Sequence, residues 1–598
     1  MKAQTQKIPR VSSAVVAVAT ATGRDMEAND ALANQGCIEE LQDGAVMHRR
    51  VPKDHWCVSR TDLVDFECRV WSAIQLGQIQ PTTLDEFDPC DRSIGPTLYT
   101  INEQLIKPVT KAAGRMSWAL MLHPDGLKCD LFITHAWQEG VFEFLRKVLY
   151  SWPRGARHAY CCMLANPQNL DIGGLISNPR ESPFALALLS ADFMLVVPNH
   201  RASIYMRLWC AYEAFLAYEN DKVIQVASAP IPTRCLLGPS LWVCTATLCG
   251  ALAGYCRHFL LLPGHLTFVE DYVYWVVVLL PWLGSSILDN PTARRACHLC
   301  GAAVNAFYAT TADMPGHDPA SHGQGSKGAG VAVIAICFFF LSEIDRVRNA
   351  AAGFEAELLR NGYSGSICDA SCSVQSDADY IFSDIGTMAK EVDQAIQILI
   401  RAGMWNRSLR VAAQAGVDIK DATHIEFAMP LTSWAVQLLV VLFLLEQDDW
   451  LCWLFALVIL VLQVSWFISI AWLPRERRVF GVKSMAKLSP LWGIVAASTH
   501  LVCYHLIGID YEAPGLVHGQ AALLIGFTAL GLSFLVAGVE HVAHWPLCGR
   551  AVAQLMLARN WCRCGDSSRF TMVKQDEATS QSSLDNDESD SALAEIEA

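Results

Sequence analysis

The chain has 598 residues, 52% of them apolar and only 17% charged, and a formal net charge of −14. An ordinary soluble protein is about 25% charged, so lipid is part of the solvent this chain is built for. The acidic balance argues against a nucleic-acid partner, whose phosphates demand clustered Lys and Arg.

Residues 1–50 read as a disordered leader. Lys2, Lys7 and Arg10 precede Val11–Thr20, a run long enough for a signal peptide, but it holds no Leu, Ile or Phe and so has little drive into a bilayer. Residues 51–127 form a helical lead-in. Within it Leu98, Ile101 and Leu105 share one helical face, and Pro108 is expected to end that helix.

From 128 to 232 strand and helix patterns alternate. Strands are expected at Cys129–Thr134, Tyr160–Leu164, Phe193–Val197 and Val223–Ala227, and Asn166–Gly174 reads as a loop. Helical patterns fall around Phe142–Leu149, Phe184–Leu189 and Tyr205–Tyr218. Such alternation implies β-α-β units in a small parallel, flavodoxin-like sheet. The fourth strand runs into Pro230-Ile-Pro232, which leaves no room for a fifth strand and its helix.

A bilayer core of about 30 Å needs roughly 20 apolar residues per helix. Runs of this kind lie at 235–256, 271–288, 428–445, 450–473, 488–508 and 515–539, with weaker ones at 296–312 and 328–342. These group into first membrane helices at 233–342 and four more at 428–545. The loop 474–487 holds Arg475, Arg477, Arg478, Lys483 and Lys487 and is expected on the cytosolic side. The acidic loops at 446–449 and 509–512 suit the other side. Six or eight spans satisfy these constraints, with both termini and the α/β domain cytosolic.

Residues 343–427 then form a cytosolic helical segment. Its stripe of Ile381, Ile385, Met388, Val392, Ile396 and Leu399 is expected to close a small bundle of its own. A juxtamembrane helix at 546–573 carries Cys562 and Cys564 as palmitoylation candidates. The acidic tail 574–598, with eight acids and one lysine, reads as disordered. The 22 cysteines are scattered through apolar segments and suit a reducing compartment. Cys297 and Cys300 have zinc-like spacing without completing ligands, so no metal is expected there. His500, His505 and His518 lack evident carboxylate partners and are expected to face protein or the membrane interface.

Two stretches carry a resemblance. Lys128-Cys-Asp-Leu-Phe-Ile-Thr-His-Ala-Trp137 and Arg207-Leu-Trp-Cys-Ala-Tyr-Glu213, with Ser182-Pro-Phe184 between them, resemble the Toll/interleukin-1 receptor (TIR) domain in its diverged protist form. The similarity spans 128–227 and extends back to about Leu98. It implies a docking module that self-associates or meets adaptor proteins at a membrane face. In TIR domains that cleave NAD, a glutamate of the Trp-Cys-x-x-Glu helix is catalytic, which implies that role for Glu213, with NAD as substrate and no cofactor required. His135, Trp137, Asn166, Gly173 and Trp209 are the matching candidates for holding the nucleotide. Read from the residues alone, Glu213 also suits a helix start or an ion pair with Arg207 or Lys222, and Trp209 and Cys210 suit core positions. The expected function is membrane-tethered signalling. NAD hydrolysis is the alternative, and a transporter or channel regulated by the TIR-like domain is the second.

Overall fold

The computed structural model describes residues 43–260, 290–312, 322–503 and 514–558, apart from 373, 421 and 425, together with a few positions between 280 and 288. Most of the leader, the acidic tail, Cys562, Cys564, His505, the side chain of His500 and most of 271–288 lie outside the described residues. The fold is mostly helical, with one mixed six-stranded sheet.

The sheet has the order β1 (Val58–Ser59), β3 (His158–Cys161), β2 (Leu131–Thr134), β4 (Phe193–Val196), β5 (Val223–Val226), β6 (Met404–Trp405). The inner four strands are parallel, and β1 and β6 are antiparallel edges. Alternation along each strand divides the side chains between two layers. Leu131, Ile133, Ala159, Cys161 and Leu195 face one apolar cluster, and Phe132, Tyr160, Met194, Val196 and Ile224 face the other. Both faces are covered, which is why these strands read as unbroken apolar runs.

Helix α1 (Gly44–Arg50) falls within the stretch expected to be disordered. Asp43 caps it, and Met47 and Val51 are buried in the sheet's core, so the domain reaches back at least to residue 43. The lead-in also belongs to the sheet domain, because it supplies β1 and α2 (Arg60–Gln75), whose Leu63, Phe66 and Val70 pack beneath the sheet. Pro108 does not end its helix. A π-helical turn at Asn102–Ile106 precedes it, and Pro108 stands in the first turn of the following helix, where no amide hydrogen is required. The second strand stops at Cys161, and Cys162–Ala165 is a helical turn. The loop at 166–174 likewise runs into a short helix, Ile172–Ile176, capped by Asp171.

Helices α3 (Val141–Ser151), α4 (Pro183–Ser190) and α5 (Leu208–Glu219) connect the parallel strands. After β5 the chain leaves as α6 (Thr233–Leu260), packs against α7 (Pro291–Ala312), and returns along the 39-residue α8 (His322–Arg360). At about 1.5 Å per residue α8 spans roughly 58 Å, so the expected boundary at 342/343 falls inside one continuous helix. The chain then adds α9 (Gln375–Ile385), α10 (Ala389–Ala402), β6 and α11 (Arg407–Gln414) to the sheet domain.

This overturns two expectations. The apolar stripe of α9 and α10 closes no bundle of its own; Ile381, Ile385, Val392, Ile396 and Leu399 pack in the same cluster as α5. The sheet also does not stop at four parallel strands, because Trp405 and Met404 pair with Ile224 and Gln225. The helices 233–360 are an insertion into the sheet domain.

Four described helices are long and apolar enough to cross a membrane: Thr233–Cys256, α12 (Ala428–Leu445), α13 (Trp450–Trp472) and α15 (Pro514–Ala543). The basic stretch 474–487 is no loop. From Arg475 it is the first half of α14 (Arg475–Val502), packed against α15. Lys483 and Lys487 donate to carbonyls at the end of α16 (Gly549–Leu557), groups that lack partners within their own helix. Phe480, Phe534, Val539, Ala553 and Leu557 belong to the same apolar cluster as the sheet's upper face. The sheet domain therefore shares one apolar cluster with α14, α15 and α16.

Candidate functional site

The inner strands β2 and β3 end at Thr134 and Cys161, and ligands of parallel sheets bind beyond such ends. There β2 continues into His135, Ala136 and Trp137, β3 into Cys162, and α5 enters from the side with Arg207 as its N-cap residue. The start of α5 is pinned by the returning chain. The Leu208 amide donates to the Ser371 carbonyl at 2.9 Å, and the Ser371 amide donates to the Met206 carbonyl at 2.7 Å.

Glu213 is the sixth residue of α5, beyond the first turn, so the helix dipole does not account for it. It is 7% exposed, and its Oε2 has no hydrogen-bond partner. The Thr134 hydroxyl stands beside the carboxyl but outside strict hydrogen-bonding geometry. Burial pushes the carboxyl up to about 7, against the opposing pull of the Arg207 guanidinium. Neither expected ion pair forms: Lys222 donates to the Leu189 carbonyl, and Arg207, which is half-buried, makes no ion pair among the described residues.

His135 is buried, with Nε2 at 3.2 Å from Cys162 Sγ and 3.8 Å from Cys161 Sγ. Its Nδ1 lies 3.2 Å from Glu139 Oε1, close but out of line for a hydrogen bond. Burial holds the imidazole down at about 3, which leaves it neutral at pH 7, and raises the Glu139 carboxyl well above its ordinary range. A histidine with no proton affinity near neutrality is a poor general base. Burial likewise pushes the Cys162 and Cys210 thiols up to about 12, which disfavours a thiolate nucleophile at neutral pH.

The other sequence candidates divide. Trp137 is half-buried, borders Cys162 and leans on the exposed Tyr99 at 5.5 Å between ring centroids, so it lies at the site. Asn166 is buried and structural, its Oδ1 accepting the Tyr160 hydroxyl at 2.6 Å. Trp209 packs on Phe184 and Tyr212 as core. Gly173 is exposed, and Asp171 Oδ1, its own helix cap, is the heavy atom nearest to a Cβ built there. The structure gathers Thr134, His135, Trp137, Arg207 and Glu213, and leaves Asn166, Gly173 and Trp209 in other roles.

Sequence reasoning missed Glu139. Its i, i+4 spacing from His135 was the available signal, but such a pair is visible only once the intervening turn is known. Chemically, the site offers a carboxyl that titrates near neutrality, an uncommitted guanidinium suited to phosphate, and a half-buried indole. No family model matches this chain, and neither a curated protein nor a solved structure matches it.

Proposed function

We propose that the protein is a membrane-tethered signalling module in which a TIR-like α/β domain meets copies of itself or adaptor proteins on the cytosolic side. The observation that carries this reading is the insertion of helices 233–360 between β5 and β6. A sheet whose edge strand comes after the returning helix α8 is expected to respond to displacement of that helix. The physical bolt is Glu355 on α8. Lys147 of α3 donates to its Oε2 at 2.8 Å, and the Ala229 amide donates to its Oε1 at 3.3 Å. Asn361, one residue beyond α8, accepts from the Ser203 amide at 2.8 Å, so the helix end abuts the loop that leads into α5 and Glu213. The basic residues at the start of α14, on the sheet's side of the helices, support a cytosolic placement.

A second reading, NAD hydrolysis, is favoured by the unpartnered Glu213 Oε2 beside Arg207. Cleaving the ribose–nicotinamide bond builds positive charge on the sugar, which an ionised carboxylate stabilises, while nicotinamide leaves as a neutral molecule. Full-length protein in lipid nanodiscs separates the two. The docking reading expects energy transfer between labelled copies to rise with protein density in liposomes, with no nicotinamide released from NAD. Release of nicotinamide, slowed about 10²–10³-fold by Glu213→Gln, would replace it with the enzymatic reading.

A further inference from the structure

We infer that Asp449, Cys452 and His518 form a binding site for a divalent ion of the zinc class, at the end of the membrane helices remote from the sheet. Oδ2 of Asp449, Sγ of Cys452 and Nε2 of His518 all lie within 4.8 Å of one another, the only such group of three or more among the described residues. They come from three places in the chain: the α12–α13 turn, the first turn of α13 and the second turn of α15. His518 was expected to lack a carboxylate partner; instead Nε2 meets Asp449 Oδ2 directly.

Each group is set up as a ligand by its neighbours. Asp449 is the N-cap of α13, and its Oδ1 accepts the Leu451 amide at 3.0 Å, which fixes the carboxylate and turns Oδ2 toward the other two. Cys452 sits in the helix's first turn, and its Sγ lies 3.8 Å from Oδ2. The His518 ring is held edgewise on Phe455, with centroids 5.8 Å apart. Tetrahedral bonds of about 2.0–2.3 Å place ligand atoms roughly 3.3–3.8 Å apart, so the 3.8 Å between Sγ and Oδ2 already suits an ion, while the Asp449–His518 contact must open to admit one. Below the three groups lies an apolar floor of Leu444, Ala456, Ala521 and Leu524.

The donor set names the metal. One thiolate, one imidazole and one carboxylate suit zinc, whereas calcium and magnesium take oxygen alone. Asp449 and His518 are half-exposed, which leaves a fourth position for water. Binding releases the thiol proton and ties the α12–α13 turn to the start of α15. The site is independent of the function proposed above.

The test uses full-length protein in detergent, stripped with a chelator, re-equilibrated with zinc chloride or cobalt chloride, and desalted. One zinc per chain is expected, and the cobalt form should show the thiolate-to-cobalt absorption band. Cys452→Ser should abolish that band and, with Asp449→Asn, lower zinc affinity by more than about a hundredfold, beyond the loss typical of outer-shell changes. Asp449→Asn retains the capping oxygen, so its loss of zinc reports the ligand and not the helix. Cys297→Ser should change nothing. Zinc well below one per chain, or zinc retained by Cys452→Ser and Asp449→Asn, overturns the site: the three groups are then a hydrogen-bonded cluster.

Discussion

The Glu355 junction and the Glu213 site both bury charged side chains within one domain, and they treat them in opposite ways. At the junction every partner is supplied: Lys147 meets Glu355, Glu143 and the Pro198 carbonyl. At the site a carboxylate oxygen is left unpartnered and an arginine uncommitted. A satisfied buried network fixes one arrangement of elements, whereas an unsatisfied one costs stability and is retained where a ligand or partner completes it. The first is architecture and the second is a candidate site.

The largest effect should come from breaking the satisfied set. Lys147→Met leaves Glu355 buried without its cation and should destabilise the sheet domain by about 3–5 kcal/mol, while Lys147→Met with Glu355→Leu should recover most of that loss. Unfolding of the purified chain, followed by hydrogen exchange over 141–151 and 350–360, measures both.

The unsatisfied set should respond in the opposite direction. The Glu213 carboxyl rises on folding from an ordinary 4.5 to about 7, so the folded state holds its proton more tightly. Its contribution is fully favourable below pH 4.5 and is lost as pH rises from 4.5 through 7, a swing of about 3 kcal/mol. Glu213→Gln should therefore stabilise the domain by about 3 kcal/mol at pH 8 and change little at pH 4.5. A flat difference across that range would show that the carboxyl is paired after all.

A neutral satisfied pair should matter least. Tyr160→Phe strands the buried Asn166 Oδ1 and should cost about 1–3 kcal/mol at every pH, without altering the pH profile. A thermal scan at pH 5 and pH 8 distinguishes this from the Glu213 behaviour.

The same contrast explains what was legible in the sequence. The parallel strands were readable because both faces are buried, so apolar runs such as Leu131–Thr134 stand out against polar turns. Met404–Trp405 was not: two residues carry no periodicity, and their partner Ile224 lies some 180 residues earlier. The basic stretch 475–487 read as a loop because charge suggests solvent, yet Lys483 and Lys487 are spent on helix-end carbonyls that only the folded chain brings near. Of the residues read from the motif, Glu213 and Trp137 lie beyond the strand ends, whereas Asn166 accepts from a hydroxyl six residues away that β3 directs toward it. Glu139 was invisible because its nearness to His135 depends on the intervening turn.

The inserted helices and the sheet are expected to act as one mechanical unit through α8. Hydrogen exchange on full-length Glu355→Ala in nanodiscs tests it most directly. Protection is expected to fall not only at the end of α8 but also in α5 around Glu213 and across the β5–β6 pair. Loss confined to 350–360, with α5 and β6 exchanging as in the parent chain, would contradict it.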